Sequence, residues 1–554
     1  MLREGQTKRL VRTTRRSAAK SVLPWSFCFG LVGFLGCFKP DDGREPPLDR
    51  IYFPTGLALS PDSDRLYVAN SDWDLQFNAG SVQVYDAARI RELLPRSCKT
   101  DADCLDSSQR CDTGPVDGAT EFGISGTFWC VDAASADPCR GLGVQSPGVR
   151  LTQPGLCGSL DNRTEDLLLD SVSISSFATD LVYRANPLGE GGRLFLPTRS
   201  DATLVWIDVP SGTSNGTGPE LDCGQNSARK CDANHRRGDG SNERTPSGDA
   251  LPVEPYGIGA SVDGSAVVVS HQTEGEISLF TNDWERPESG PELTFILRDL
   301  AARPVSVAPI PMPAIAQRDR GPGGARVLGY QPGFWVTSRA TPFVQLIRYF
   351  DAVDSADGYP YLGAAFVDRL STSATADVRG MAVDDSQRRA CESACGQDDL
   401  PCLEGCAGIA LQVYLANRTP GSILIGNTTT VRRGELSNDR LQVSNLVPIE
   451  DGPSRAVMGH VLDERGLPQP RVFIPSFDSS VVTIYDPVGH TISARVHAGR
   501  GPTAVVVDDV HALAYVSHFT DSYVGVIDLD TRHAAFGTLI LALGKPTEPR
   551  GDDN

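Results

Sequence analysis

Apolar and polar positions alternate along most of this chain in short runs, separated by Gly, Pro, Asp and Ser. An early stretch reads Pro54-Thr-Gly-Leu-Ala-Leu-Ser-Pro-Asp, then Arg65-Leu-Tyr-Val-Ala-Asn70, then Ser81-Val-Gln-Val-Tyr-Asp86. A late one reads Gly501-Pro-Thr-Ala-Val-Val-Val-Asp-Asp, then Ala514-Tyr-Val-Ser-His518, then Tyr523-Val-Gly-Val-Ile-Asp528. Period-two alternation rich in β-branched residues, bounded by turn formers, predicts short strands. A fourth strand is predicted at Leu293–Leu297, Ile492–Val496 and Thr538–Leu543.

The phrase recurs seven times, with second strands anchored at Leu66–Asn70, Leu194–Thr198, Val267–His271, Phe334–Ser338, Val413–Asn417, Val472–Ser476 and Ala514–His518. Tyr67-Val68-Ala69-Asn70 and Tyr414-Leu415-Ala416-Asn417 carry a resemblance to the YVTN-type β-propeller repeat, over about four-fifths of the chain. One such sheet cannot bury both faces alone, and stacking seven around an axis leaves only short edges. The expected fold is all-β, a seven-bladed β-propeller with cysteine-rich loop insertions, over residues 49–546. Ile51-Tyr52-Phe53 is expected to close the ring by pairing with the last blade as an outer strand.

Three insertions interrupt the register, at 91–170, 211–250 and 386–410. In an antiparallel blade, first-to-second and third-to-fourth connections share one face. All three insertions are therefore expected on one face of the disc. The ends of the second strands lie on the other.

The first 36 residues differ from the rest. Arg3, Lys8, Arg9, Arg12, Arg15, Arg16 and Lys20 precede an apolar run, Ser21 to Gly36, that is short for a membrane span. This predicts a secretory signal over 1–36. Phe34-Leu35-Gly36-Cys37 resembles a bacterial lipobox, which implies acylation of Cys37, a tether over 37–48 and anchoring to the outer membrane or the periplasmic face. A charged tail occupies 547–554. The whole chain carries a net charge of −19, and removal of 1–36 deepens it to −25. That excess repels phosphate backbones and argues against nucleic acid as a partner.

Cysteine usage agrees with export. Apart from Cys28 and Cys37, twelve of the 14 cysteines remain, clustered in the insertions, which predicts disulfides in an oxidising compartment. Cys391-x3-Cys395 and Cys402-x3-Cys406 suit two short helices stapled as Cys391–Cys406 and Cys395–Cys402. A four-thiolate zinc site is the rival reading, disfavoured by the spacing. Cys223 and Cys231 suit a local loop bridge. The six cysteines from Cys98 to Cys157 resemble small secreted modules and leave the pairing open.

Aligning the repeats puts a polar residue at the end of each second strand, including Asn70, His271, Asn417 and His518, followed by residues such as Arg199, Arg339 and Arg418. Ligands enter many propellers at this mouth, and three arginines with two histidines suit an anionic ligand. The structural alternative is that these residues cap strand ends. Asp86, Asp208, Asp486 and Asp528 recur at third-strand ends, as turn formers do. No catalytic constellation, metal set or cofactor motif emerges. Two functions follow. One is a lipid-anchored binding or scaffolding module for a protein, peptide or glycan. The other is suggested by resemblance to lactonase-like and quinoprotein-like propellers: an enzyme with its site at the central mouth.

Overall fold

The computed structural model describes residues 43–104, 107–112, 128–132, 160, 167–210, 220–238, 243–301, 303–318, 331–352, 355–370, 377–396, 398–433, 436–533 and 535–544. Calls on the signal, on Cys37, on Cys139 and Cys157, and on the tail 547–554 lie outside them.

Seven four-stranded antiparallel sheets form a β-propeller. The innermost strands are Pro54–Leu59, Val182–Ala185, Pro255–Ala260, Pro304–Pro309, Val378–Asp384, Val457–Leu462 and Pro502–Asp508. Each neighbours the next around the axis, and the seventh neighbours the first, so the ring is closed. Second strands are sandwiched between adjacent sheets, which is why Ala266–His271 and Leu513–His518 are buried at every position. Outermost strands face water on one side, and Thr491–His497 alternates accordingly. Among the described residues, no helix is long and apolar enough to cross a membrane.

Closure differs from the expectation. Blade seven supplies its own outer strand, Leu539–Leu543, so Ile51–Phe53 forms no strand there. Ile51 is instead a core residue between blades seven and one, packed with Leu57, Tyr515 and Leu541. Residues 44–50, expected partly as tether, lie against blade one. The Gln83 side chain donates to the carbonyls of Leu48 and Arg50, and Asn78 N donates to Arg44 O.

The inner strands approach closely through a repeated small residue. It is glycine in blades one, three and five. A Cβ at Gly56 would lie 2.6 Å from Leu181 Cβ, at Gly257 2.0 Å from Val305 O, and at Gly380 2.5 Å from Arg455 Cα. Just before it, a hydroxyl often staples one blade to the next. Thr55 donates to Ala178 O (2.9 Å), Thr179 to Tyr256 O (2.6 Å) and Ser454 to Pro502 O (3.2 Å).

The first insertion begins with helix Ala87–Glu92, N-capped by Asp86, and continues in a three-stranded sheet with bridges Cys98–Cys111 and Cys104–Cys130. In the third, helices Ser386–Ala394 and Leu400–Ala407 are joined by Cys391–Cys406 and Cys395–Cys402. Buried Arg388 donates to Ile409 O and Pro311 O, locking them to blade four. The second insertion needs correction. Cys223–Cys231 closes a short loop near the start of blade one's second strand, where Glu220 pairs with Arg65. Arg236–Arg237 then forms blade two's outermost strand, so the chain crosses the disc. Asp249 ends on the opposite face, paired with Arg298 beside Glu276. Two arginines carry no apolar alternation, so this strand left no trace in the pattern.

Candidate ligand site at the mouth of the central cavity

The polar residues closing the second strands face into the blades. Asn70 and Asn417 do one job twice. Each Oδ1 accepts a backbone N–H from the segment before the inner strand (Tyr52, Asp377), and each Nδ2 donates to the serine opening the third strand (Ser81, Ser422). His271 takes the same place, joining Val253 O through Nδ1 and Ser278 Oγ through Nε2. His518 stacks on Tyr523, with ring centroids 4.1 Å apart. Both imidazoles are fully buried, and burial pushes them down to about 4 for His271 and about 3 for His518. These four residues therefore fasten strands together and do not line the cavity. The other three, Arg199, Arg339 and Arg418, lie at the mouth, and Arg339 and Arg418 line it.

The inner strands enclose a central cavity of about 1130 Å³. Its wall away from the mouth is largely apolar, with Leu59, Val307, Met381, Val383, Met458 and Val506, and also carries Arg184, which donates to the carbonyls of Ala260 and Ser261. The mouth is polar. Arg455 reaches from blade six to Asp180 of blade two (Nη1 to Oδ1, 2.6 Å) and donates to Thr179 O and Thr55 O. Arg379 in blade five pairs with Asp377 and bonds the Tyr256 hydroxyl of blade three. These contacts hold its guanidinium above the usual range despite burial.

Arg339 stands apart. Partial burial, then the nearby Arg379 and Arg303, depress its guanidinium, and no carboxylate is ion-paired to it among the described residues. Arg199 and Arg418, by contrast, are held by Glu254 and Asp478, both at 2.8 Å.

Across the ring, blades six, seven and one present an aromatic arc. Phe519 contacts Phe53 (5.0 Å), Trp73 (5.8 Å) and Phe477 (6.0 Å), and Trp73 meets Phe177 edge-on (5.4 Å). Trp73 is 48% exposed. Arg418 lies over Phe477 and Arg199 over Trp73, at the two ends of the arc.

Sequence reasoning missed Asp180, Tyr256, Arg379, Arg455, Phe477 and Phe519. Phe477 and Phe519 follow Ser476 and His518 in the same register as Arg339 and Arg418. The other four replace the Thr or Gly that the repeat uses where inner strands begin. A large or charged residue at a position built for a small one was the available signal.

No protein-family description and no curated protein matches the chain. Among solved structures it is similar to a putative 6-phosphogluconolactonase from Bacteroides uniformis (10% identity, 81% of this chain and 87% of that one, TM-score 0.41). It is similar to hydrazine synthase of Kuenenia stuttgartiensis (12%, 89% and 99%, TM-score 0.42). It is also similar to the periplasmic gluconolactonase PpgL of Pseudomonas aeruginosa (11%, 81% and 87%, TM-score 0.39). At these scores the similarities carry no functional inference.

Proposed function

We propose that this chain is an exported, lipid-anchored propeller of the cell envelope that works as a binding module and takes its ligand at the mouth of the central cavity. The observation that carries this reading is the state of the cavity's carboxylates. Asp180 and Asp377 both line it, and both are taken up by arginines, Arg455 and Arg379. An acid–base site needs a titratable group free to exchange a proton within reach of a common point. A binding site needs shape, an apolar surface and a few placed polar groups, and this mouth supplies those. The predicted signal and the lipobox-like sequence ending at Cys37 support anchoring at a membrane surface, and the disulfides support an oxidising compartment.

Capture from envelope extracts tests it. The baits are the full chain, a double variant Arg339→Ala/Phe519→Ala, and a chain lacking 386–410. A ligand recovered by the full chain and by the shortened one, but not by the double variant, supports the mouth. Recovery by the double variant and loss with the deletion would move the contact surface to the insertion face. Turnover of the captured ligand by the purified chain would replace binding with catalysis. Separately, Cys37→Ser is expected to shift the chain from the membrane fraction to the soluble one.

A further inference from the structure

Five arginines line the central cavity, and four of them are committed to partners within the fold. Arg184 donates to the carbonyls of Ala260 and Ser261. Arg379 pairs with Asp377, Arg418 with Asp478 and Arg455 with Asp180. Arg339 is the fifth. Among the described residues its guanidinium has neither an ion pair nor a side-chain hydrogen bond. It stands in a cationic corner, where Arg303 and Arg379 repel it and Asp377 is the neighbouring acid. A guanidinium crowded by like charges is stabilised by an anion that joins it.

Across the ring, the same cavity is lined by aromatic side chains. Trp73, Phe477 and Phe519 all belong to its wall, Phe519 contacts the other two, and Trp73 is half-exposed. Their open surface is apolar area that a ligand can remove from water, and a ligand ring adds edge and face contacts to that gain.

These two features suit one molecule with two unlike ends. An inorganic anion would use Arg339 and leave the rings wet. A neutral aromatic would cover the rings and leave Arg339 uncompensated. A phosphate group is best held by donors from several sides, and here the neighbouring guanidiniums are spent on their own carboxylates. One free fork matches the two coplanar oxygens of a carboxylate. The cavity, at about 1130 Å³, has room for a body of more than one aromatic ring.

We infer that the mouth recognises an aromatic carboxylate, with its acid group on the Arg339 fork and its ring body against Trp73 and Phe519. This rests on the mouth being the binding site and names what that site selects.

Calorimetric titration of the full chain with naphthoate tests this, with naphthylmethanol, acetate, octanoate and naphthyl phosphate as comparisons. Saturable binding of naphthoate is expected, tighter than each comparison by about tenfold or more. Arg339→Gln should cost naphthoate about tenfold and bring it level with naphthylmethanol. Trp73→Ala should weaken naphthoate and naphthylmethanol alike. Unchanged melting temperatures certify the fold of both variants. Equal binding of the acid and the alcohol, or indifference of naphthoate to Arg339→Gln, would overturn the carboxylate assignment. Acetate or octanoate matching naphthoate would overturn the aromatic body. Naphthyl phosphate matching or exceeding naphthoate would replace the carboxylate with a phosphate. If naphthoate does not bind but the captured envelope ligand still depends on Arg339 and Phe519, the ligand class falls and the mouth stands. If that dependence is also absent, both fall.

Discussion

Arg455 of blade six and Asp180 of blade two form an ion pair across the mouth, 2.6 Å from Nη1 to Oδ1. The two residues occupy equivalent places in their blades, two residues into the inner segment, where blades one, three and five carry Gly56, Gly257 and Gly380. Two blades thus surrender the repeat's small residue for a charge, and the two charges meet.

The pair should be energetically coupled. Both side chains are largely shielded from water, at 26% and 14% exposure. Removing one partner strands the other in a partly desolvated site. A double-mutant cycle with Arg455→Ala and Asp180→Ala, read by thermal or urea unfolding, is expected to give a coupling of about 1–2 kcal/mol. A value near zero would mean that solvent screens the pair.

Gly257 should tolerate no side chain. A Cβ there would sit 2.0 Å from the Val305 carbonyl oxygen and 2.9 Å from its carbon in the next blade, backbone atoms that cannot swing aside. Gly257→Ala is expected to destabilise by about 2–4 kcal/mol. Gly405, inside helix Leu400–Ala407 with open space around it, should respond oppositely. Gly405→Ala is expected to gain about 0.5–1 kcal/mol of helix propensity. Urea midpoints of the two variants check both signs.

Acid should unfold the chain partly through its two buried imidazoles. In the unfolded chain a histidine takes up a proton near pH 6.5, whereas buried His271 waits until about 4 and His518 until about 3. The stability present above pH 6.5 therefore falls as pH drops toward 4, by about 2 kcal/mol per histidine at pH 5. His271→Asn, which installs the residue that blades one and five use at this place, should flatten the slope by one proton. Melting temperatures of both chains from pH 7.5 to 5 would show it, and parallel curves would refute it.

Asp72 should act in the opposite direction. It is buried at the turn after Asn70, with φ of 53°, and burial together with the nearby Asp74 raises its carboxyl to about 7. The folded chain then holds a proton that the unfolded chain releases near pH 4, so stability is full below that and declines as pH rises toward 7. Asp72→Asn removes the charge, keeps an acceptor for Phe77 N and suits the positive φ. It should stabilise by about 1–3 kcal/mol at pH 8 and by little at pH 4. Melting curves at the two pH values distinguish this from a pH-independent gain.

The second strands were legible because period-two alternation and β-branched residues are local properties. The Asn70 and Asn417 positions were legible as repeat elements too, but their role was not. Whether an asparagine at a strand end faces a channel or an adjacent serine depends on a partner eleven residues away in one blade and five in the other. Arg236–Arg237 illustrates the opposite failure. A two-residue edge strand of charged residues is held by its neighbour's backbone, and no side-chain pattern announces it.

The order of polar and apolar residues along this chain determined on its own that it would fold as a series of short antiparallel strands repeated seven times, because backbone pairing and face alternation act over a few residues. Tertiary structure alone decided which exceptions to that repeat converge. Asp180 and Arg455 lie 275 residues apart and meet only because the ring closes. Arg339 and Phe519 come to opposite sides of one cavity for the same reason: closure about an axis brings distant segments together, and that proximity has no counterpart in the linear pattern.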